Sequence, residues 1–192
     1  MDNTRTPVLY IVGNYNIDLV MGTLTHWPAQ GTEMMLEHSA LRPGGSAGNC
    51  ALAAAAMQLP HCAVGCQGDD AFTPWLAAQF PGGSARWPQY PCETSLTVAI
   101  THPNKERSFL SNHGHITRLT AGDVLSQLPA AAGEGDIVLL CGTFLCTGLL
   151  SDYPQLLATL RQRGFTLAVD TGWPPQRLES PAMRRCYPHR LR

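Results

Sequence analysis

The sequence predicts an α/β fold, a mainly parallel layered sheet with a small second β-sheet set into it. Three observations carry this expectation. Short apolar runs at 8–12, 137–141 and 166–170 have the composition of strands covered on both faces. Helical segments alternate with them at the spacing of β-α-β units. Two further segments, 33–39 and 95–101, alternate in polarity or are rich in β-branched residues, yet have no crossover helix beside them.

Taken in order, residues 8–12 form the first strand, which ends in Gly13-Asn14-Tyr15-Asn16-Ile17-Asp18, where amide and carboxylate side chains replace apolar ones. Residues 33–39 open the small sheet. Pro43-Gly44-Gly45-Ser46-Ala47-Gly48-Asn49 then leads into an Ala-rich helix at 49–59 that Pro60 stops. Paired glycines let a backbone approach a ligand closely and take φ > 0 without a Cβ clash. Gly48-Asn49 opens the helix, and its first N–H groups are expected to be free for polar or anionic groups. A strand at 62–66, the turn Gly68-Asp69-Asp70 and a helix at 72–80 ended by Pro81-Gly82-Gly83 come next. Residues 95–101 and 105–111 read as a hairpin turning at His102-Pro103-Asn104. Thr120-x-x-Asp123 resembles a capping box for a short helix ending at Pro129. After the strand at 137–141, Pro154 fits the first turn of a helix that runs to Arg163 and stops at Gly164. Residues 166–170 are the last strand. The small sheet, from about 33–41 and 95–111, is placed to act as a flap over the carboxyl edge of the main sheet, where open α/β sheets bind ligands.

With 192 residues, 44% of them hydrophobic and 14% charged, the chain is a folded globular protein with a substantial core. A formal net charge of −1 gives no case for nucleic acid or a membrane as partner. The balance is uneven. Residues 1–176 hold eight Lys and Arg against thirteen Asp and Glu, whereas 177–192 hold five arginines against Glu179 alone. That tail reads as aberrant, a fragment boundary or a shifted reading frame; a basic tail for an anionic partner is the other reading. Seven cysteines scattered through apolar stretches, with no secretory leader, predict reduced thiols in a cytoplasmic protein. Cys62-x-x-x-Cys66 lies in a strand and reads as two small hydrophobes rather than half a metal site.

Asn16 and Asp18, followed by the glycine run, have the chemistry of a small polyol site: amide and carboxylate hold hydroxyls, and Gly44 and Gly45 admit the ring. Each has a plainer reading as well. The plainer alternative for Asp18 is a turn cap, and for Asn49 the amide at a helix N-cap. Asp70 reads as a turn or cap residue. His113 and His115 sit near the flap, with a solvated or capping role as the plainer assignment.

Gly13-x-x-Asn16-x-Asp18, Gly44-Gly45-x-x-Gly48-Asn49 and Gly68-Asp69-Asp70, in this order and spacing, resemble the amino-terminal signature of the PfkB/ribokinase family of carbohydrate and nucleoside kinases. Glu106-Arg107-Ser108, Leu140-Cys141-Gly142 and Val169-Asp170 before Pro174 extend the resemblance over roughly residues 8–176. It implies a ribokinase-like, Rossmann-type layered sheet with a β-sheet lid, ATP and Mg2+ as cofactors, and phosphoryl transfer to a sugar or nucleoside hydroxyl. It also implies a possible homodimer through the lid. Asn16 and Asp18 match positions that hold sugar hydroxyls, and Gly44, Gly45 and Asn49 match the loop and helix start lining the same pocket.

The family's second signature, a Gly-Ala-Gly-Asp helix start carrying the general base and the anion hole, has no match here, nor has its Asn-x-x-Glu motif. The expectation is therefore a fold truncated after roughly its first half to two thirds, an incomplete domain over 1–176. The chain is expected to be inactive as a kinase, without a catalytic residue or ATP-binding segments of its own. The alternative is a catalytically dead sugar-binding or lid-dimerising module. Which sugar or nucleoside is bound is not legible in these residues.

Overall fold

The computed structural model describes residues 5–170. The stretch 171–176 and the basic tail at 177–192 lie outside the described residues. In chain order the elements are β1 (Leu9–Gly13), β2 (Asn16–Gly22), β3 (His38–Gly44), α1 (Ser46–Ala56), β4 (His61–Val64) and α2 (Thr73–Ala78). They continue with β5 (Leu96–Thr101), β6 (Arg107–Ser111), α3 (Ala121–Gln127), β7 (Ile137–Cys141), α4 (Tyr153–Gln162) and β8 (Thr166–Asp170), joined in places by short 3-10 turns.

Two four-stranded sheets result. The main sheet has the order β4-β1-β7-β8 and is parallel throughout. The lid sheet has the order β3-β2-β5-β6, with β2 parallel to β5 and both outer pairs antiparallel. Strand β1 is buried on both faces because its alternate side chains enter different cores. Tyr10 and Val12 join Val64, Leu140, Val124 of α3 and Leu156, Leu157 and Leu160 of α4. Ile11 faces Ala47, Ala51 and Ala54 of α1, with Leu76, Phe80 and Trp87. The alanine face explains how α1 can lie close to the sheet: side chains this small bring the helix backbone down onto it.

The main-sheet strands fall where the apolar runs place them, because a buried parallel strand is written as continuous hydrophobicity. The capping box is also present. Thr120 Oγ1 accepts from the Asp123 N–H at 3.1 Å, and the Asp123 carboxylate accepts from the Thr120 N–H at 2.8 Å. The lid differs from the reading of the sequence in two places. Its strand expected at 33–41 lies at His38–Gly44, one face of the lid being an edge that tolerates Pro43. Residues 16–18, read within the polar end of the first strand, instead open a separate lid strand, β2. There β2 takes a central position between β3 and β5, and its apolar Ile17 is wholly buried.

One buried carboxylate fixes the start of the main sheet. Asp136, 1% exposed, accepts from the N–H of Val8 at 2.9 Å, from the N–H of Gly133 at 2.9 Å and from Arg5 Nη1 at 2.9 Å. Burial pushes its carboxyl up, but the two N–H groups and the Arg5 guanidinium together hold it below the usual value. Its stabilising effect is thus present above the ordinary carboxylate range and lost as pH falls through it. Asp136→Ala leaves two partly buried N–H groups without partners and is expected to cost about 2–4 kcal/mol in urea unfolding at pH 7. A variant as stable as the parent chain would refute this account of the strand starts.

Candidate sugar site

The site is assembled at the carboxyl end of β1, where the chain crosses from one sheet to the other. Only Asn14 and Tyr15 separate β1 from β2. The Asn14 side chain, 3% exposed, turns to the start of α1: its Oδ1 accepts from the N–H of Ser46 at 3.0 Å and of Ala47 at 3.5 Å. The Asn14 backbone carbonyl accepts from the N–H of Gly48 at 3.3 Å. Helix α1 therefore begins at Ser46, three residues before the expected opening at Asn49, and its first three N–H groups are already bonded. The expectation that these groups are free for an anion is overturned. Asn14 supplies the cap from 32 residues upstream because Gly45, at the N-cap, has no side chain to do so.

Four of the five residues singled out in the sequence are brought together. Asn16 Nδ2 donates to Asp18 Oδ1 at 2.8 Å, and Asn14 Nδ2 donates to Asn16 Oδ1 at 3.5 Å. Gly44 pairs with Asn16 across β2 and β3, and a Cβ on Gly44 would overlap the Asp18 carboxylate. Gly45 has φ +85°, and a Cβ there would overlap both the Asn14 carbonyl and Asn16 Oδ1. The two glycines are thus required by a close approach to the polar cluster. Burial raises the Asp18 carboxyl, while the Asn16 hydrogen bond and the charge of Arg107 pull the other way. Asp18 is half-buried, paired with an amide rather than a cation, and remains an acceptor with capacity to spare.

Asn49, the fifth residue, lies one turn into α1 rather than at its N-cap. Its side chain is exposed and makes no hydrogen bond among the described residues. A cleft of about 200 Å3 opens above the cluster, lined by Asn14 and Asn16 on its floor and by Ser95, Thr97, Ser111, Asn112 and His113 on the lid side. Ile116, Thr117 and Leu145 complete it. Seven of the ten lining residues carry a hydroxyl or an amide, a donor and acceptor set suited to a neutral ligand with several hydroxyls. Asp18, Gly44, Gly45 and Asn49 do not line that cleft themselves.

On the lid side, Ser95, Ser111 and Asn112 went unread in the sequence. Thr97 and Ser111 face each other across β5 and β6 with their hydroxyls 2.9 Å apart. Period-two alternation in 95–111 was the available signal, since it puts these hydroxyls on one face of the hairpin. Asn112 is held as scaffold: its Oδ1 accepts from the N–H of Leu96 at 2.7 Å, and its Nδ2 donates to the Thr94 carbonyl at 3.1 Å.

The two histidines separate. His113 is exposed at the cleft, whereas His115 is fully buried. The N–H of Ser95 donates to His115 Nδ1 at 2.9 Å, so Nε2 carries the proton and donates to the Tyr15 carbonyl at 3.0 Å. Burial lowers its pKa to about 4, with the Tyr15 hydrogen bond opposing. Asp70 is also structural. It accepts from the Thr94 N–H and Oγ1, both at 2.6 Å, and from the Phe72 N–H at 3.0 Å. Burial raises that carboxyl, but the Thr94 and Phe72 bonds outweigh it and leave the group below its usual value.

Among the described residues no three His, Cys, Asp or Glu side chains converge as a metal set. The cleft lining includes no cationic side chain for a phosphate chain. No helix of the described residues is long and apolar enough to cross a membrane.

Neither a protein-family model nor a curated protein matches the chain. Solved structures do. A ribokinase from Arabidopsis thaliana, complexed with ribose and ATP, superposes with a TM-score of 0.67 at 19% identity over 88% of this chain and 55% of its own. A fructokinase from Xylella fastidiosa gives 0.68 at 17% identity, over 89% and 54%. A Burkholderia thailandensis nucleoside kinase in complex with inosine gives 0.62 at 19%, over 94% and 57%. This chain thus has the ribokinase-like, PfkB-type fold, and it spans a little over half the length of the kinases that share it.

Proposed function

We propose that the chain is a carbohydrate-kinase-type protein whose described part binds the hydroxyls of a sugar or nucleoside. The observation that carries this reading is the polar cluster of Asn16, Asp18, Gly44 and Gly45, of which Asn16 lines a cleft bordered by hydroxyl- and amide-bearing side chains. The kinship in fold supports the same choice of ligand, since the similar structures include a ribokinase with ribose and a nucleoside kinase with inosine. In this reading Asn16 and Asp18 orient the hydroxyls, Gly44 and Gly45 let the ring approach, and Asn49 contributes its amide from α1. The activity of the class is transfer of the ATP γ-phosphoryl to the acceptor hydroxyl, with ATP and Mg2+.

The 192-residue chain on its own is proposed to bind without transferring phosphate. Its sequence has no counterpart of the general-base and anion-hole segment, and loss of a general base alone typically costs about 10²–10⁴ in rate. The lid exposes Leu41, Phe109 and Leu110, which supports a homodimer through that sheet; sedimentation equilibrium reads it directly. Six described cysteines carry no disulfide, in keeping with a cytoplasmic location.

Calorimetric titration with ribose and with inosine tests the binding. One of the two is expected to bind, and Asp18→Ala is expected to weaken that binding by about 10–100-fold, the worth of hydrogen bonds to a charged acceptor. Heat from neither ligand, in a chain shown folded by circular dichroism, would remove the proposal. Phosphoryl transfer at an ordinary kinase rate would remove its second half.

A further inference from the structure

The end of β7 holds a feature that sugar binding does not use. Cys50, in the second turn of α1, and Cys141, the last residue of β7, place their sulfurs 3.6 Å apart. Cys141 Sγ also donates to Asp170 Oδ2, at the end of β8, at 3.3 Å. Among the described cysteines no other two sulfurs lie within hydrogen-bonding distance. Cys50 is partly exposed and Cys141 is 1% exposed. The pair is thus asymmetric: one thiol meets solvent, while the other sits behind it against a carboxylate.

We propose that Cys50 and Cys141 form an oxidation site, with Cys50 the thiol that peroxide attacks and Cys141 the thiol that resolves it to a disulfide. In the first step the Cys50 sulfur attacks hydrogen peroxide. An S–O bond forms, the O–O bond breaks, and the sulfur loses two electrons to give a sulfenic acid and water. In the second step the Cys141 sulfur attacks the Cys50 sulfur. An S–S bond forms and the S–O bond breaks. The departing hydroxide becomes water with the proton that the Cys141 thiol passes to Asp170. Closing from 3.6 Å to the ~2.05 Å of a disulfide brings together two sulfurs already in contact. Burial pushes the Cys141 thiol well above its ordinary value, with the Asp170 carboxylate adding to the shift. That keeps Cys141 protonated and inert toward peroxide until Cys50 has been oxidised.

The bond would tie α1 to the main sheet beside Asn49 on one side and Gly142 on the other. It does not depend on what the cleft binds. The test treats the full chain, natively folded, with hydrogen peroxide, blocks remaining thiols with an alkylating agent, and maps non-reduced peptides by mass spectrometry. The expected product is a linked Cys50–Cys141 peptide, lighter by two hydrogens and lost on reduction. In Cys141→Ser, Cys50 is expected to stop at the sulfenic acid and be trapped by dimedone. In Cys50→Ser, Cys141 is expected to remain an alkylatable thiol. Recovery of Cys50 as a thiol after peroxide treatment, its linkage to another cysteine, or oxidation of Cys141 in Cys50→Ser would each overturn the proposal. The linkage map of the parent chain decides the matter even where a serine variant fails to fold.

Discussion

Replacing His115 by alanine is expected to lower stability by about 3–5 kcal/mol, the largest loss from any single polar side chain described above. The imidazole joins Ser95, just before lid strand β5, to Tyr15, between β1 and β2. Removing it strands a buried N–H and a buried carbonyl, each worth about 1–3 kcal/mol, and opens a cavity as well. The ring is neutral in the fold because both nitrogens are committed, one as acceptor and one as donor. Burial lowers its pKa to about 4, against 6.5 in the unfolded chain. Between those values the unfolded chain takes up a proton that the folded one refuses, so stability falls as pH falls from about 6.5 to about 4. The slope approaches ~1.4 kcal/mol per pH unit for one proton. Urea midpoints at pH 7.5, 6 and 5 read this directly. In His115→Gln the decline over that window is expected to vanish, since glutamine has an acceptor and a donor but no proton to gain. A decline as steep in His115→Gln as in the parent chain would assign the effect elsewhere.

Gly45→Val is expected to be nearly as costly, about 3–5 kcal/mol, and to abolish ligand binding in whatever fraction still folds. At φ +85° and ψ 154° the residue lies in backbone space that is almost closed to any residue with a Cβ, which alone costs about 1–3 kcal/mol. The new side chain would also strike the Asn14 carbonyl, which caps α1, and Asn16 Oδ1, which belongs to the proposed site. Gly31 provides the control. Its φ of +81° is similar, but nothing lies within 4 Å of a Cβ there. Gly31→Ala should therefore show the backbone cost alone, about 1 kcal/mol. Thermal melts of both variants separate strain from collision; equal losses would mean that the contacts around Gly45 matter little.

What could be read from the residues follows the range of the interaction. Strands β1, β7 and β8 are legible because a strand covered on both faces needs no partner information, only apolar composition. The Thr120 capping box is legible because its two halves are three residues apart. Gly44 and Gly45 declared a close approach, though not what approaches. Strand β2 was hidden because Asn16 and Asp18, near its start, are polar, and polarity there imitates the end of a strand. The cap on α1 was hidden for a different reason. Local rules place a capping side chain at the N-cap itself, whereas Asn14 reaches it through the fold, so the helix was read three residues late. The sequence placed His115 near the flap together with His113 but did not show its role: only the packed structure shows both of its nitrogens bonded.

The two-residue passage from β1 to β2 also sets how the lid can move. Asn14 and Tyr15 are the shortest connection between the sheets, and Asn14 is bonded to the first turn of α1. A tilting lid sheet would therefore pivot at the floor of the cleft. Strand β2, seven residues long, reaches about 20 Å from that point at ~3.3 Å per residue. A tilt of about 10° at the fulcrum would carry its far end some 3–4 Å, by that same length. Were the lid sheet to close over a ligand, the helix start beneath it would be reshaped with it, because the same asparagine lies in the connection and caps α1.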